Sequence, residues 1–265
     1  MQNSLPKESR LNMAIIPIQA VLFDMGGTLE NLYSDETIRQ EATRDLRTLL
    51  RRLNLDPGLN LADLHSTVLS GIRAYQAWRK DSQMELSPEK VWTEYVLTNH
   101  GAAKERLAAA AEDITLFYET HYQVRSLRPE APAALESLHK QGFRLAIISN
   151  IISRRLVPNK LAEYGIAHYF APVVTSSNFG WRKPNALIFE EAARLMQLPP
   201  AACSYVGDTL SRDVIGAQRA GYGLAIQIKS SLTTRADRGT VRVKPDAVIH
   251  DLGQIIDLVS PGQGP

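Results

Sequence analysis

From about residue 129 onward, short apolar runs alternate with amphipathic segments, and this alternation constrains the fold of the chain more than any other feature. The apolar runs are the length of buried strands, whereas the segments between them have helical spacing and end at glycines such as Gly142, Gly165 and Gly221. Alternating strands and helices form parallel sheets that are covered on both faces. The strands are predicted at 144–148, 173–174, 204–206, 224–228 and 247–249. We therefore expect an α/β protein with a Rossmann-like, doubly wound parallel sheet.

A further buried strand is predicted at 18–23, but a long helical stretch separates it from the others. Between about 35 and 122, apolar residues recur at three- to four-residue spacing, as at Leu46, Leu49, Leu50 and Leu53, and we find no convincing strand. We therefore predict a core domain formed by residues 17–32 and 126–265 and an α-helical insert formed by 33–125. Residues 1–16 are predicted to be a flexible leader.

Composition and charge argue against several classes of protein. The 265 residues carry 30 basic and 28 acidic side chains, a net charge of +2, which gives no reason to expect binding to nucleic acid or to a membrane. No apolar run approaches the ~20 residues of a membrane span, and the N-terminal region lacks a secretory signal. The single cysteine, Cys203, cannot form an internal disulfide, which suits a reducing compartment. We predict a cytoplasmic globular protein, with the basic stretch 229–244 as a flexible surface loop.

Polar residues suited to phosphate chemistry follow three of the predicted strands or precede a helix. They are Asp24 with Gly26, Gly27 and Thr28; Ser149 with Asn150; Lys183; and Asp208 with Asp213. Each alone has an ordinary explanation, such as a helix cap, a turn or a surface lysine. Because ligands bind at the carboxyl ends of the strands in open α/β sheets, however, we expect these side chains to meet. Three carboxylates at one site repel one another, so a divalent cation is the simplest way to hold them together. The lysine, hydroxyl and amide groups could then bind a phosphate.

Four segments of the chain resemble the four motifs of the haloacid dehalogenase superfamily in order and in spacing. They are 21–29 (VLFDMGGTL), 147–150 (IISN), 182–185 (RKPN) and 206–213 (VGDTLSRD). The resemblance extends from about residue 18 to residue 258, and the helical insert lies where subfamily I of this superfamily places its cap. The resemblance implies a hydrolase whose cap domain closes over the site and selects a small phosphorylated substrate.

Carried over to the matching positions, the resemblance implies a role for each of these residues. Asp24 would be the nucleophile and would form an aspartyl-phosphate. The ligands of Mg²⁺ would be Asp24, Asp208 and the backbone carbonyl of Gly26, with Asp213 in support. The groups that bind the phosphoryl oxygens would come from Gly27, Thr28, Ser149, Asn150 and Lys183. Lys183 would also offset the charge on Asp24, so these two residues would be the catalytic pair.

Gly26 is a departure from the motif. In the phosphatases of the superfamily, the residue two positions after the nucleophile is a second aspartate, which protonates the leaving oxygen and later activates water. Glycine has no side chain for either step, and general acid–base help is typically worth ~100- to 10,000-fold. We therefore expect slow hydrolysis of phosphate esters by a site that keeps its nucleophile, its metal ligands and its phosphate-binding groups.

Three functions are open at this point. The first is a phosphatase of a small metabolite, acting on good leaving groups or with an acid supplied by the insert. The second is another reaction of the superfamily: cleavage of a phosphonate carbon–phosphorus bond, phosphoryl transfer or dehalogenation. The Gly207-Asp208 pair argues against dehalogenation, since 2-haloacid dehalogenases lack this metal ligand, and Lys80 and Lys90 match no Schiff-base lysine. The third is a catalytically quiet protein that binds a phosphorylated ligand or partner, against which the retained Asp24 argues.

Few residues of the helical insert carry a functional signal. Tyr33 and the stretch 75–79 are candidates for facing the site. In that stretch, Tyr75 and Trp78 are better explained as packing residues. Arg79, and Arg73 just before the stretch, are better explained as solvated residues. The histidines at 65, 100 and 121 form no metal-ligand pattern and are predicted to lie at the surface or in packing. The apolar stripes permit either a monomer or a homodimer.

Overall fold

The computed structural model describes residues 17–98, 103–230, 237 and 243–259. The predicted leader at 1–16, His100 and most of the basic stretch 229–244 lie outside these residues. Within the described part of the chain, no helix is both long enough and apolar enough to cross a membrane.

Six parallel strands form the central sheet, as the alternation of strands and helices predicts. The strands among the described residues are β1 (Ala20–Phe23), β2 (Glu30–Tyr33), β3 (Val124–Leu127), β4 (Arg144–Ser149), β5 (Phe170–Thr175), β6 (Cys203–Gly207), β7 (Leu224–Ile228) and β8 (Ala247–Ile249). The order in the central sheet is β5-β4-β1-β6-β7-β8, and every neighbouring pair is parallel. The first strand of the chain is therefore central, with β4 on one side and β6 on the other.

Helices connect these strands and form the insert. The described α-helices are α1 (Glu36–Arg52), α2 (Leu61–Ser82), α3 (Pro88–Lys90), α4 (Lys104–His121), α5 (Ala131–Lys140), α6 (Leu156–Glu163), α7 (Ser176–Phe179), α8 (Ala186–Leu195), α9 (Ile215–Arg219) and α10 (Ile255–Val259). A π-helical segment, Val91–Val96, follows α3. Another, Leu210–Val214, precedes α9.

Alternate side chains of β1 point to opposite faces of the sheet, because the side-chain repeat of a strand is two residues. Val21 and Phe23 lie in a hydrophobic cluster with residues of α5, α6 and α10. Ala20 and Leu22 lie in a second cluster with residues of α8 and α9. The central strand is thus buried on both faces, which confirms the prediction of a doubly wound sheet.

The helical insert has a hydrophobic cluster of its own. Leu46, Leu64, Trp92 and Leu107 belong to this cluster and are buried, and from outside the insert only Ile152 joins them among the described residues. Tyr75 is fully buried, and Trp78 stacks on it with the ring centres 6.0 Å apart. The assignment of Tyr75 and Trp78 to packing is therefore confirmed.

A two-stranded antiparallel sheet leads into and out of the insert, and the sequence analysis did not predict it. Strand β2 pairs with β3, so that Glu30 lies opposite Leu127 and Tyr33 lies opposite Val124. The boundaries predicted for the insert, residues 33 and 125, fall inside these strands. Tyr33 and Val124 are exposed, so the strands lack the apolar signature of a buried strand.

The turn after α2 fixes the insert to the core. Backbone hydrogen bonds join Glu85 N to Gly180 O, at 2.8 Å, and Arg182 N to Gln83 O, at 2.9 Å. The Glu85 carboxylate is buried and has three partners, which are the Arg182 guanidinium and the hydroxyls of Ser176 and Tyr75. We refer to these interactions as the α2–core contact.

Candidate active site

Asp24, Ser149 and Asp208 lie at or just after the ends of the neighbouring strands β1, β4 and β6, so their side chains share one edge of the sheet. A cavity of about 380 Å³ lies between this edge and the helical insert. Its core wall includes Asp24, Gly26, Ser149, Asn150 and Lys183, and its insert wall includes Gln76, Arg79, Tyr118 and Glu119. A cavity of this size accepts a small organic molecule.

Three buried carboxylates lie together at the base of the site. Asp24, Asp208 and Asp213 each have an oxygen within 4.8 Å of an oxygen of the others. Burial, together with repulsion from Asp213 and Asp24, raises the pKa of Asp208 to about 7. Burial also raises the pKa of Asp24, against the opposing effect of Lys183. A bound cation would relieve this repulsion, and carboxylate oxygens suit hard divalent ions, so the cluster could hold such an ion.

Lys183 is the cation that the structure places between two of these carboxylates. Its Nζ lies 2.8 Å from Asp24 Oδ1 and 2.7 Å from Asp213 Oδ1. It also donates to the backbone carbonyl of Ile148, at 3.0 Å, and to the Tyr205 hydroxyl, at 2.7 Å. Because Lys183 is buried with them, it neutralises charge that would otherwise be costly to bury.

Asn150 holds the backbone of Lys183 in place. Its side-chain amide donates to Lys183 O and accepts from Lys183 N, each at 2.9 Å. This two-way bond joins the end of β4 to the segment before α8, so Asn150 positions Lys183. Asn150 and Ser149 both line the cavity, and phosphate binding by either residue stays a prediction.

Two glycines make room for the carboxylates. A Cβ on Gly207 would lie 2.3 Å from Asp213 Cβ, and a Cβ on Gly27 would lie 2.4 Å from Asp208 Oδ2. Neither distance is tolerated between non-bonded atoms. Gly27 also has a φ of +87°, which other residues rarely adopt. Both glycines are therefore required by the close approach of a buried aspartate.

We expect Gly207→Ala to lower the free energy of unfolding by about 1–3 kcal/mol, because the new methyl group displaces Asp213 in a packed interior. Gly26→Ala is the matched control, since the nearest atom to a Cβ there is Leu32 Cδ1, at 2.9 Å, the end of a flexible side chain. Urea denaturation of both variants measures the difference. Equal stability of the two variants would contradict the steric role of Gly207.

Gly26 lines the cavity beside a buried ion pair. The nearest side chains to a Cβ at this position are those of Leu32 and Arg125, and Arg125 is paired with the buried Glu30 at 2.6 Å. None of the three atoms nearest to that Cβ belongs to a carboxylate.

Gly27 and Thr28 do not line the cavity. The Gly27 amide donates to the carbonyl of Glu30, at 2.8 Å, and Thr28 is fully buried. Of the nine predicted site residues, five line the cavity, Asp208 and Asp213 lie buried beside Asp24, and Gly27 packs against Asp208. Phosphate binding through Gly27 and Thr28 stays a prediction.

The prediction that Arg79 is solvated is wrong. Arg79 is half-buried and lines the cavity, with its guanidinium 5.3 Å from the ring centre of Tyr75. Burial lowers the pKa of Arg79. The interpretation of Arg73 as solvated is confirmed, since that residue is exposed on the same helix. The sequence pattern separated the two only by their helical phase, which is not enough to show which face of α2 meets the cavity.

Four residues that were not predicted from the sequence lie at or near the carboxylates. Tyr205 donates to Ile148 O and lies 3.3 Å from Asp213 Oδ1. Thr209 donates to Asp213 Oδ2 from both its amide and its hydroxyl, at 3.0 and 2.6 Å. Ser230 donates to Asp208 Oδ2, at 2.8 Å, and Arg212 offers a further positive charge near all three. A polar side chain at a buried strand position, Tyr205, is the one signal that the sequence contains.

A model of haloacid dehalogenase-like hydrolases matches residues 18–221 of the chain, which is more than half of it. The chain belongs to this family. The resemblance and the hydrolase class predicted from the four motifs are therefore confirmed.

Several relatives of this haloacid dehalogenase-like hydrolase have names that state an activity. A glyceraldehyde 3-phosphate phosphatase of Methanopyrus kandleri is 31% identical over 243 residues, which cover 91% of this chain and 97% of the relative. A phosphoglycolate phosphatase of Vibrio vulnificus is 27% identical over 247 residues, which cover 91% and 96% of the two chains.

Solved structures support the fold of this family member. A 2-haloacid dehalogenase from Pseudomonas syringae superposes with a TM-score of 0.63 at 24% identity, over 91% of this chain and 97% of that one. A phosphatase from Thermococcus onnurineus superposes with a TM-score of 0.58 at 22% identity, over 92% and 98%. At these identities the likeness establishes the fold alone.

Proposed function

We propose that this haloacid dehalogenase-like hydrolase is a Mg²⁺-dependent phosphatase of a small phosphorylated metabolite, with Asp24 as its nucleophile. The observation that carries the proposal is the buried cluster of Asp24, Asp208 and Asp213 around Lys183, at the base of the cavity. The two relatives whose names state phosphatase activity support the same reaction. In this proposal the helical insert acts as the cap that encloses the substrate.

The arrangement of Asp24 suits it to attack phosphorus. Its Oδ1 accepts hydrogen bonds from the Met25 amide and from Lys183, both at 2.8 Å. No described residue donates to Oδ2, so that oxygen is available as the nucleophile. A bond forms from Oδ2 to phosphorus while the ester P–O bond breaks, and the leaving oxygen takes a proton from water. Water then attacks the aspartyl-phosphate, the bond between phosphorus and Asp24 breaks, and inorganic phosphate leaves.

The carboxylates of Asp24 and Asp208 and the carbonyl of Gly26 would hold Mg²⁺, with Asp213 beside them. When bound, the ion supplies positive charge to the phosphoryl oxygens and relieves repulsion among the carboxylates. Lys183 opposes the rise in the pKa of Asp24 that burial causes, and the bond from Asn150 holds Lys183 at the attacking side chain.

Hydrolysis of p-nitrophenyl phosphate in Mg²⁺ and in excess chelator tests the proposal. This ester has a leaving group that needs little protonation, so the lack of an acidic side chain at Gly26 slows its hydrolysis least. The proposal requires turnover that depends on Mg²⁺. Absence of turnover by folded, Mg²⁺-binding protein would reject the phosphatase function and direct the search to phosphonates and haloacids.

We expect Gly26→Asp to raise hydrolysis of ethyl phosphate relative to p-nitrophenyl phosphate by about tenfold or more, because general acids are worth most when the leaving group is poor. This lower bound lies beneath the ~100-fold that is usual for general acids, because Arg125 lies beside the new side chain and lowers its pKa. Gly26→Asn is the matched control, since it has the same shape and no acidic proton. An equal ratio in the two variants would contradict the interpretation of Gly26 as the vacant acid position.

A further inference from the structure

The helical insert contributes a positive charge to the cavity, and the proposed reaction does not use it. Three of the cations on the cavity wall are Lys183, Arg212 and Arg79. Lys183 is bonded to Asp24 and Asp213, and Arg212 lies in the field of the same carboxylates. Arg79 comes from α2, on the opposite wall.

Arg79 differs from the other arginines of the insert wall in its partners. Arg39 is paired with Glu36 at 2.9 Å, and Arg125 is paired with Glu30 at 2.6 Å. Arg79 forms no ion pair with any described residue, and its guanidinium lies over the ring of Tyr75. Glu119 also lines the cavity, but both its oxygens accept hydrogen bonds from backbone amides of Ile152 and Ser153.

The burial of Arg79 favours binding of an anion. Burial lowers the pKa of Arg79, Tyr75 and Glu119 raise it, and the positive charge of Arg212 lowers it further. A half-buried guanidinium that forms no ion pair, on a cavity that a second guanidinium also lines, gains free energy from an oxyanion bound in that cavity. The cavity holds about 380 Å³, which is at the lower end for small-molecule sites.

Arg79 is also held in position. The Tyr75 hydroxyl donates to Glu85 and accepts from the Leu86 amide, at 3.0 Å, within the α2–core contact. The ring below the guanidinium is therefore fixed by the interactions that attach the insert to the core. A preorganised cation loses less entropy when it binds a ligand.

We propose that Arg79 binds a second anionic group of the substrate, a carboxylate or a second phosphate, while Asp24 attacks the first phosphate. This proposal rests on the proposed phosphatase function, and it makes Arg79 the residue that selects phosphate monoesters with a second anionic group over phosphate monoesters without one.

Two pairs of probes that differ only at the second group test the proposal. 2-Phosphoglycolate is compared with 2-hydroxyethyl phosphate, and 1,3-propanediol bisphosphate with 3-hydroxypropyl phosphate. The variants are Arg79→Gln, Arg79→Lys as the charge-retaining form, and Arg73→Gln, which changes an exposed arginine on the same helix. The measured quantity is the ratio of kcat/KM for the probe with the second anionic group to kcat/KM for its partner without that group.

We expect the wild-type ratio to exceed unity for at least one pair and to fall by about 10- to 100-fold in Arg79→Gln, as is typical of a lost charge-assisted hydrogen bond. Arg79→Lys should restore part of it, and Arg73→Gln should match the wild type. The pair that responds identifies the carboxylate or the phosphate as the second group. A ratio that Arg79→Gln leaves unchanged in both pairs would overturn the proposal.

A binding measurement separates the failure of this inference from the failure of the proposed function. Calorimetric titration of 2-phosphoglycolate and of the bisphosphate into Asp24→Asn and Asp24→Asn/Arg79→Gln requires no turnover. If no probe is hydrolysed, the phosphatase function fails. If either probe then binds about 10-fold more weakly to the double variant than to Asp24→Asn, the anion site is still supported. If each probe binds the two variants equally well, the anion site is overturned.

Discussion

Replacing Asp24 with asparagine is expected to lower the turnover of p-nitrophenyl phosphate by at least about a thousandfold, since a neutral amide oxygen is a poor nucleophile. The fold should survive, because the amide has nearly the shape of the carboxylate and can still accept from the Met25 amide. The assay is steady-state hydrolysis in Mg²⁺, with circular dichroism to confirm the fold.

Asp81→Asn is the matched control for this substitution, because Asp81 is exposed at the end of α2. It should hydrolyse the ester at the wild-type rate. Turnover near the wild-type rate in Asp24→Asn would reject Asp24 as the nucleophile. Acid quenching of the wild-type reaction, followed by mass spectrometry, offers an independent observation, since a phosphorylated peptide should contain residue 24.

The second large effect is expected from Lys183→Met. The substitution leaves Asp24 and Asp213 buried without their shared cation, and removal of one partner of a buried ion pair typically costs about 3–5 kcal/mol of unfolding free energy. Turnover should also fall by at least about a hundredfold, because the positive charge beside the attacking oxygen is lost. Urea denaturation in chelator and the phosphatase assay measure the two effects.

Mg²⁺ should recover part of the lost stability in this variant, because a bound cation again offsets the buried carboxylates. Lys140→Met is the control, as Lys140 and its partner Glu136 are both exposed, and it should leave stability and turnover unchanged. A Lys183→Met protein as stable as the wild type in chelator would contradict the role assigned to Lys183.

The sequence predicted the parts of the site that depend on strand ends. Asp24, Ser149 and Asp208 each follow a short apolar run, and parallel topology brings such residues to one edge. It did not predict Asn150 as a bridge to Lys183, because that bond joins segments that are distant along the chain. The role of the carbonyl, amide and side-chain groups around a site depends on tertiary packing, which a residue pattern does not encode.

The misjudged and missed features have identifiable causes. Arg79 and Arg73 have the same charge on one helix, and only the packing of α2 against the core decides which of them faces the cavity. Strands β2 and β3 have four residues each and hold each other by backbone hydrogen bonds, so exposed side chains such as Tyr33 give no periodic signal. Tyr205 is a polar side chain at a buried strand position, but the sequence does not show that its hydroxyl accepts a hydrogen bond from Lys183.

The pairing of β2 with β3 makes the helical insert, in topological terms, the loop of a β-hairpin. The chain leaves and re-enters the core at the adjacent positions Tyr33 and Val124, so the route of the six-stranded sheet does not depend on what lies between them. A short turn between these positions, or a different helical module, would close the same hairpin. If the proposed function holds, the fold separates the site of phosphoryl chemistry from an exchangeable element that contributes to the choice of substrate.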